Sequence, residues 1–315
     1  MEARKEKAEA ARRGDALRQI LPIVGLIAIF LLFNLLTDWG MVKNLSIVFS
    51  SVYPLFIASV GVFFIMTMGG LDFSQGSILG LSSIVIAALS SKSIPLAIVC
   101  GVLTGALVGA LNGFFHVKRK IPSFIVTICT MFFLRGVIKF LTTNSPVNAS
   151  AALVMMDTLP LKVGVTLAVV LLGFVAFRFT KFGPQIRAIG AGERAAWFAG
   201  VSTDRVKFFV YVLAGAITGL AALISLVKVG SVTSSGGNQF ETQILIALVL
   251  GGMPISGGSQ ARFRNVVIGC LLFSILNAGL TMLGLATQTM QLIEGAVFLA
   301  FVAVFADRNA ASVVK

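Results

Sequence analysis

Apolar residues run through this chain in ten blocks, at 20–37, 45–68, 76–91, 94–115, 121–142, 161–180, 207–228, 239–254, 264–285 and 289–306, separated by short polar stretches. A helix needs roughly 20 apolar residues to cross the hydrocarbon core of a bilayer. The pattern therefore predicts an all-α, polytopic membrane helix bundle of about ten transmembrane helices. The eighth block is short and ends in "GGMPISGG". It either crosses at a break or dips in and returns, and in both cases non-helical backbone at that depth must be shielded by other helices. The domain reading is simple: a charged tail at 1–19, a membrane domain at 20–306 with its longest cytosolic loop at 181–207, and a short tail at 307–315. No small-residue cleavage signature follows the first apolar block, so no signal peptide is expected.

Composition agrees with the blocks. Hydrophobic residues make up 57% of the chain, charged residues 12%, and the mean hydropathy is +0.98; too little polar surface is left to cover a soluble globule. The formal net charge of +13 would suit nucleic acid, but the basic residues are confined to short stretches between apolar blocks, where they set topology. With the N-terminus in the cytosol, nineteen Lys and Arg fall on inside segments. Only Lys43, Lys92, Lys162 and Lys228 fall outside. That asymmetry predicts ten crossings with both termini cytosolic, in contact with membrane lipid and with no nucleic-acid partner. Cys100, Cys129 and Cys270 lie in apolar stretches without paired spacing and read as small hydrophobes.

Three polar features interrupt the apolar pattern. The stretch "GGLDFSQGS", Gly69 to Ser77, carries Asp72, the one charged side chain between positions 45 and 91. Gly69 and Gly70 end one span, and Asp72 or Ser74 is placed to accept from the exposed amides that start the next. The alternative is a broken-helix element beside a permeation path. The fourth block carries Gly101, Gly105, Gly109 and Gly113, whose spacing puts all four on one helix face and lets a neighbouring backbone come close; Asn112 lies beside that face. In the fifth block Arg135 and Lys139, one turn apart, either snorkel to the outer surface or line a polar cavity.

The loop at 181–207 is too regular in its middle to be a mere connection. Glu193 suits the first turn of a helix, and Gly200 is placed to end it. Trp197 and Phe198 between them either lie in the membrane interface or anchor a cytosolic partner. An enzyme is not expected. His116 is the single histidine, and the chain has no HExxH, no paired Cys-x-x-Cys and no GxxxxGK[ST] phosphate loop. No cofactor is expected in this chain, and if ATP drives the protein another subunit binds it.

"GGLDFSQGS" resembles the GGIDLSVGS signature of the membrane-spanning permeases of bacterial sugar ABC importers, the ribose, galactose, xylose and autoinducer-2 group. "GALNGFFHVKRKIPSFIVTICTMFFLRG", "AIGAGERAAWFAGVSTDRVKFFVYVLAG", "FETQILIALVLGGMPISGG" and "LFSILNAGLTMLG" are similar to later landmarks of that family in the same order. The chain departs from the pattern at 259–265, where "SQARFRN" brings bulk and charge, at Thr242 and Gln243, where an acid is common, and at Glu294. The resemblance implies a fold broadly like the vitamin B12 importer's permease. It further implies a pair of permease subunits, either two copies or this chain with a related permease, on a cytosolic ABC ATPase with two nucleotide-binding cassettes, fed by an extracytoplasmic sugar-binding protein in a bacterial inner membrane. Under it, Glu193, Arg194, Ala195, Ala196, Trp197, Phe198 and Gly200 form the coupling helix to the ATPase. Asp72, Ser74, Asn112, Arg135 and Asn277 are pathway or turn candidates. The expected cargo is a monosaccharide or related polyol. Branched-chain amino acids, nucleosides, or proton-coupled transport through Asp72 or Glu294 are the rival readings.

Overall fold

The structure is a computed structural model that describes residues 21–44, 49, 52–254 and 256–305. The two charged tails and positions 45–48 therefore lie outside the described residues. Those residues form fourteen helices and one two-stranded sheet: α1 Leu21–Leu36, α2 Gly40–Lys43, α3 Val52–Thr67, α4 Gln75–Ser90, α5 Ile94–Lys118, α6 Ser123–Leu141, β1 Val147–Asn148, α7 Ala151–Val154, α8 Leu159–Phe179, α9 Phe182–Ala191, α10 Glu193–Phe198, α11 Thr203–Val229, β2 Ser231–Val232, α12 Phe240–Leu250, α13 Arg264–Met282 and α14 Thr287–Phe305. Five of them, α5, α6, α8, α11 and α13, are long and apolar enough to cross a membrane, and five more are apolar but shorter. This is a polytopic helical membrane protein. The eighth apolar block yields the 11-residue α12, about 16 Å long, which falls well short of a crossing by itself.

The described residues fall into two compact units. In the larger, residues 53–245 and 255–263, the seam between α5 and α11 is the organising contact. A Cβ built on Gly105 would strike the carbonyl oxygen of Gly215, and one on Gly109 that of Tyr211. Gly219 faces the carbonyl of Gly101, and Gly113 sits over the Phe208 ring and backbone. The two backbones touch because no side chain stands between them, the small-residue packing that suits helices in lipid, where apolar side chains gain nothing by leaving hydrocarbon. The opposite face of α5 exposes Leu103, Leu107 and Leu111. The helix is thus inverted relative to a soluble one, small and polar inward and leucine outward. In its central window α11 is 67% buried whereas α8 is 11% buried, so α11 is the core of this unit and α8 its periphery.

Loop chemistry fixes the connections. At the end of α3, Gly69 takes φ +81°, with Gly70 N–H donating to Ile65 O and Gly69 N–H to Met66 O, the paired bonds of a Schellman cap that favour glycine. Between α5 and α6, Lys120 adopts φ +56° ahead of Ile121 and Pro122, and proline ends the preceding helix and starts the next. The long segment after α6 carries β1 and α7. β1 pairs antiparallel with β2, Val147 opposite Val232, and Ser150 donates twice to Ser90 at the end of α4, its N–H to Oγ and its hydroxyl to the carbonyl oxygen.

The segment 256–263 belongs to this unit too. Gly258 N–H donates to Thr67 O, and Gly190 of α9 meets both Thr67 and Gly258 so closely that a Cβ there would collide with backbone. Phe263, part of the bulky departure noted above, stacks edge-on with Phe63 at 5.5 Å and with Phe174 at 5.7 Å. The added bulk fills an aromatic cluster.

The smaller unit comprises α1, α2, residues 246–254, α13 and α14. Phe33, Met41, Leu276 and Leu280 form its core, with Gly279 leaving room for the Phe33 ring. Asn34 Oδ1 accepts from Val42 N–H at 3.2 Å and so pins α2 to α1. Asn265 Nδ2 donates to Gly252 O at 3.1 Å.

The glycine seam makes a direct prediction. Gly105→Val should destabilise the protein by about 2 kcal/mol or more, as overpacking does, read as a lowered melting temperature in detergent. Gly136→Ala, where nothing lies within 4 Å of the added methyl, should leave that temperature unchanged or raise it.

Candidate functional site

The turn between α3 and α4 is the most polar buried part of the larger unit. Asp72 is 1% exposed. Its Oδ1 accepts from Ser74 N–H at 2.8 Å and Ser74 Oγ–H at 2.6 Å, and its Oδ2 from Gln75 Nε2 at 2.7 Å. The first of these bonds closes an Asx turn, which an aspartate makes readily. Ser74 is the residue that precedes α4, yet its side chain makes no cap bond. Of the two expected caps, Asp72 does accept a free amide at the helix start, that of Ser74, whereas the Ser74 side chain turns to Asp72 instead and caps nothing.

From this carboxylate two chains of hydrogen bonds reach other helices. Asn112 Nδ2 of α5 donates to Ser74 Oγ at 2.9 Å, and Thr130 Oγ1 of α6 donates to Asn112 Oδ1 at 2.7 Å. Thr218 Oγ1 of α11 donates to Gln75 Oε1 in a short bond. All donors point toward Asp72, so each amide has its oxygen and nitrogen committed in one direction. The backbone of the turn is held from α6 as well, with Ser123 Oγ accepting from Leu71 N–H and Thr127 Oγ1 from Phe73 N–H, both at 3.2 Å. Burial of this much polarity is tolerable because it is paired. Asp72, Ser74 and Asn112 come together here; Gln75, Thr130 and Thr218 complete the network and were not singled out from sequence.

One residue further along α4 is a second polar contact. Arg135 Nη2 of α6 lies 3.1 Å from Glu241 Oε1 and 2.9 Å from the carbonyl of Gly237. Both side chains are largely buried, at 15% and 8% exposure. Gly76 makes the room, since a Cβ there would overlap the Glu241 carboxylate and the Gly237 carbonyl. Arg135 is therefore drawn inward to Glu241 and Gly237 and does not snorkel to the surface. Lys139, one turn on, is exposed. Two lone opposite charges in separate apolar blocks were the available signal for this pair, because neither is tolerable alone in such surroundings.

The segment 181–207 forms two helices, α9 and α10, parted by the non-helical Gly192, where sequence reading expected one. Gly200, at φ +86°, ends α10, with Val201 N–H donating to Ala196 O and Gly200 N–H to Trp197 O. Ala196 packs inward while Arg194 and Ala195 are exposed. Trp197 and Phe198 are 61% and 80% exposed, and their rings meet edge to face at 5.0 Å. Glu193 Oε1 receives Lys207 Nζ of α11 at 2.7 Å, and Lys207 is itself 7% exposed on its side chain. This ion pair fixes the start of α10 to the start of α11.

Asn277 lies in the smaller unit, where its Nδ2 donates to Glu294 Oε1 at 2.9 Å. Among the described residues no three His, Cys, Asp or Glu side chains gather as a metal site requires.

The family described as the branched-chain amino acid transport system, permease component, matches residues 44–302. The chain belongs to this family. Among the curated proteins it is similar to the ribose import permease protein of Haemophilus influenzae, 28% identical with 92% of each chain covered. It is 32% identical to the ribose import permease protein of Bacillus subtilis, over 80% of this chain and 81% of that one. It is also 28% identical to an autoinducer 2 import system permease protein of Escherichia coli, over 90% of this chain and 85% of that one. No solved structure matches the chain. The family is one of transport permease components.

Two substitutions test the site's energetics. Arg135→Met should cost about 3–5 kcal/mol by leaving Glu241 buried and unpaired, and the double change Arg135→Met with Glu241→Leu should recover most of that. Asp72→Ala, which strands three donors, should cost about 3 kcal/mol. Asp72→Asn should cost less than half as much, because a flip of Gln75 restores complementary pairing through Thr218. Thermal melts of the purified permease in detergent read all four.

Proposed function

We propose that this permease is the membrane-spanning subunit of an ATP-driven importer that carries a monosaccharide or a related polyol into the cytosol. The observation that carries the reading is the near full-length similarity to import permeases for ribose and autoinducer 2. Those relatives favour a sugar-like cargo over the amino acids in the family's description. Under this reading the chain crosses a bacterial inner membrane ten times with both ends cytosolic, which the Lys and Arg asymmetry supports. The fold is of the vitamin B12 importer type, and the pathway runs between this chain and a second permease copy or relative. ATP is bound by a partner ATPase with two cassettes, and solute arrives from an extracytoplasmic binding protein.

In this arrangement α10 is the lever. Its exposed Trp197 and Phe198 suit insertion into a cleft of the ATPase, since large aromatic side chains dominate interface energetics. Force applied there has two stiff routes into the bundle. The Glu193–Lys207 pair leads to α11, and the close backbone contact of Gly190 with Thr67 leads to α3. Both helices flank the Asp72 turn. A displacement of α10 is therefore handed to packed elements, as bistable packing requires. Asp72, Ser74 and Asn112 hold the turn's geometry in this reading and are not the sugar's direct contacts.

The test is reconstitution in vesicles with the cognate ATPase and binding protein. ATP-dependent sugar accumulation is expected, and none from the permease alone; uphill uptake by the permease alone would refute the reading. The double variant Trp197→Ala, Phe198→Ala should insert normally yet lower coupled uptake at least tenfold. Unchanged uptake would remove α10 from the role of lever.

A further inference from the structure

An apolar groove of about 450 Å³ opens on the outer surface between α5 and α6, within the ~300–1,000 Å³ typical of small-molecule sites. Leu107, Leu111 and Phe115 form one wall, and Ile125, Cys129 and Thr130 contribute to the other. Thr130 is the polar member, and its hydroxyl is already committed to Asn112. The groove thus offers no free donor to a polar guest along its length, and its guest is a hydrocarbon chain.

One end of the groove is not apolar. Phe115 and Ile121, both lining residues, bracket the α5–α6 turn, which carries Lys118, Arg119 and Lys120. Lys120 pairs with Asp204 at 3.2 Å. Lys118 and Arg119 are exposed, three and four positions after the lining Phe115, and Lys118 closes the last turn of α5. His116 ties the turn down through its Nδ1 contact with Ile121 O at 2.8 Å. A hydrocarbon slot beside two cations that form no ion pair among the described residues matches one chemical class in the surroundings of this protein.

We infer that the groove between α5 and α6 is a binding site for an anionic phospholipid, with an acyl chain along Leu107, Leu111 and Phe115 and the phosphate on Lys118 and Arg119. A second permease copy fits less well. A two-fold contact across this groove would set the two copies' basic turns in one interface, and like charges in apposition are disfavoured. A lipid phosphate neutralises the same charges, each basic residue near the surface adding attraction to anionic headgroups.

The experiment is native mass spectrometry of the purified full chain, released from detergent with phosphatidylglycerol or phosphatidylcholine of identical acyl chains. Phosphatidylglycerol should be retained roughly ten- to thirty-fold more tightly, the ratio expected from two basic residues. Lys118→Ala with Arg119→Ala should bring the ratio to within about twofold. Leu111→Trp, which fills the groove, should weaken retention of both lipids while keeping the wild-type melting temperature. Inorganic phosphate in excess should leave the lipid bound. Equal retention of the two lipids by the wild-type chain, or a preference that survives the double variant, overturns the inference. So does displacement by phosphate alone, and so does a disulfide between the Cys129 side chains of two copies in vesicles, which would make the groove a protein interface.

Discussion

Burial of the Asp72 carboxylate is the constraint on which the larger unit turns. An acid at 1% exposure has no water to lean on, and each of its lone-pair sites must be met by protein. Three donors come from its own turn, and those donors are held by Asn112, Thr130 and Thr218 on α5, α6 and α11. The carboxylate therefore determines the rotamer of one residue on each of three helices. Remove the acid and the amides and hydroxyls lose their reason to face inward.

Around that hub the packing is done by absence. Gly105 and Gly109 bring α5 onto α11, Gly101 admits the Ile86 side chain of α4, Gly76 and Gly80 bring the segment 233–239 onto α4, and Gly190 brings α9 onto α3. In lipid this is the economical way to hold helices, since apolar side chains lose nothing by staying in hydrocarbon while backbones gain dispersion and weak hydrogen bonds at short range. The arrangement also leaves the outer face of α5 and the flank of α6 free to be lipid-coated with leucine and phenylalanine. The groove between them is a local failure of that coat to close.

Much of this was legible in the order of residues. Apolar blocks located the long helices, the glycine spacing on α5 identified a close-packed face, and "GGLDFSQGS" marked a polar turn. Local rules reach these because their causes are local. What was hidden depends on partners distant in the chain. Arg135 and Glu241 are 106 positions apart, and Thr218 meets Gln75 across 143; no window contains either pair. The cap reading held for Asp72, which takes the Ser74 amide, and not for Ser74, whose hydroxyl had a nearer partner in the Asp72 carboxylate than in the amides beyond it. The helix starting at Glu193 was read from the sequence, but α9 before it was not; Gly192, extended at φ 169° and ψ 101°, separates the two.

A seam built from bare backbone also has a register. The glycines of α5 recur every four residues, a rise of about 6 Å, but α11 answers them with Gly219 and Gly215 and then with Tyr211 and Phe208. A slide by one repeat would set an α5 glycine against the wrong partner, so the two helices are keyed to a single alignment.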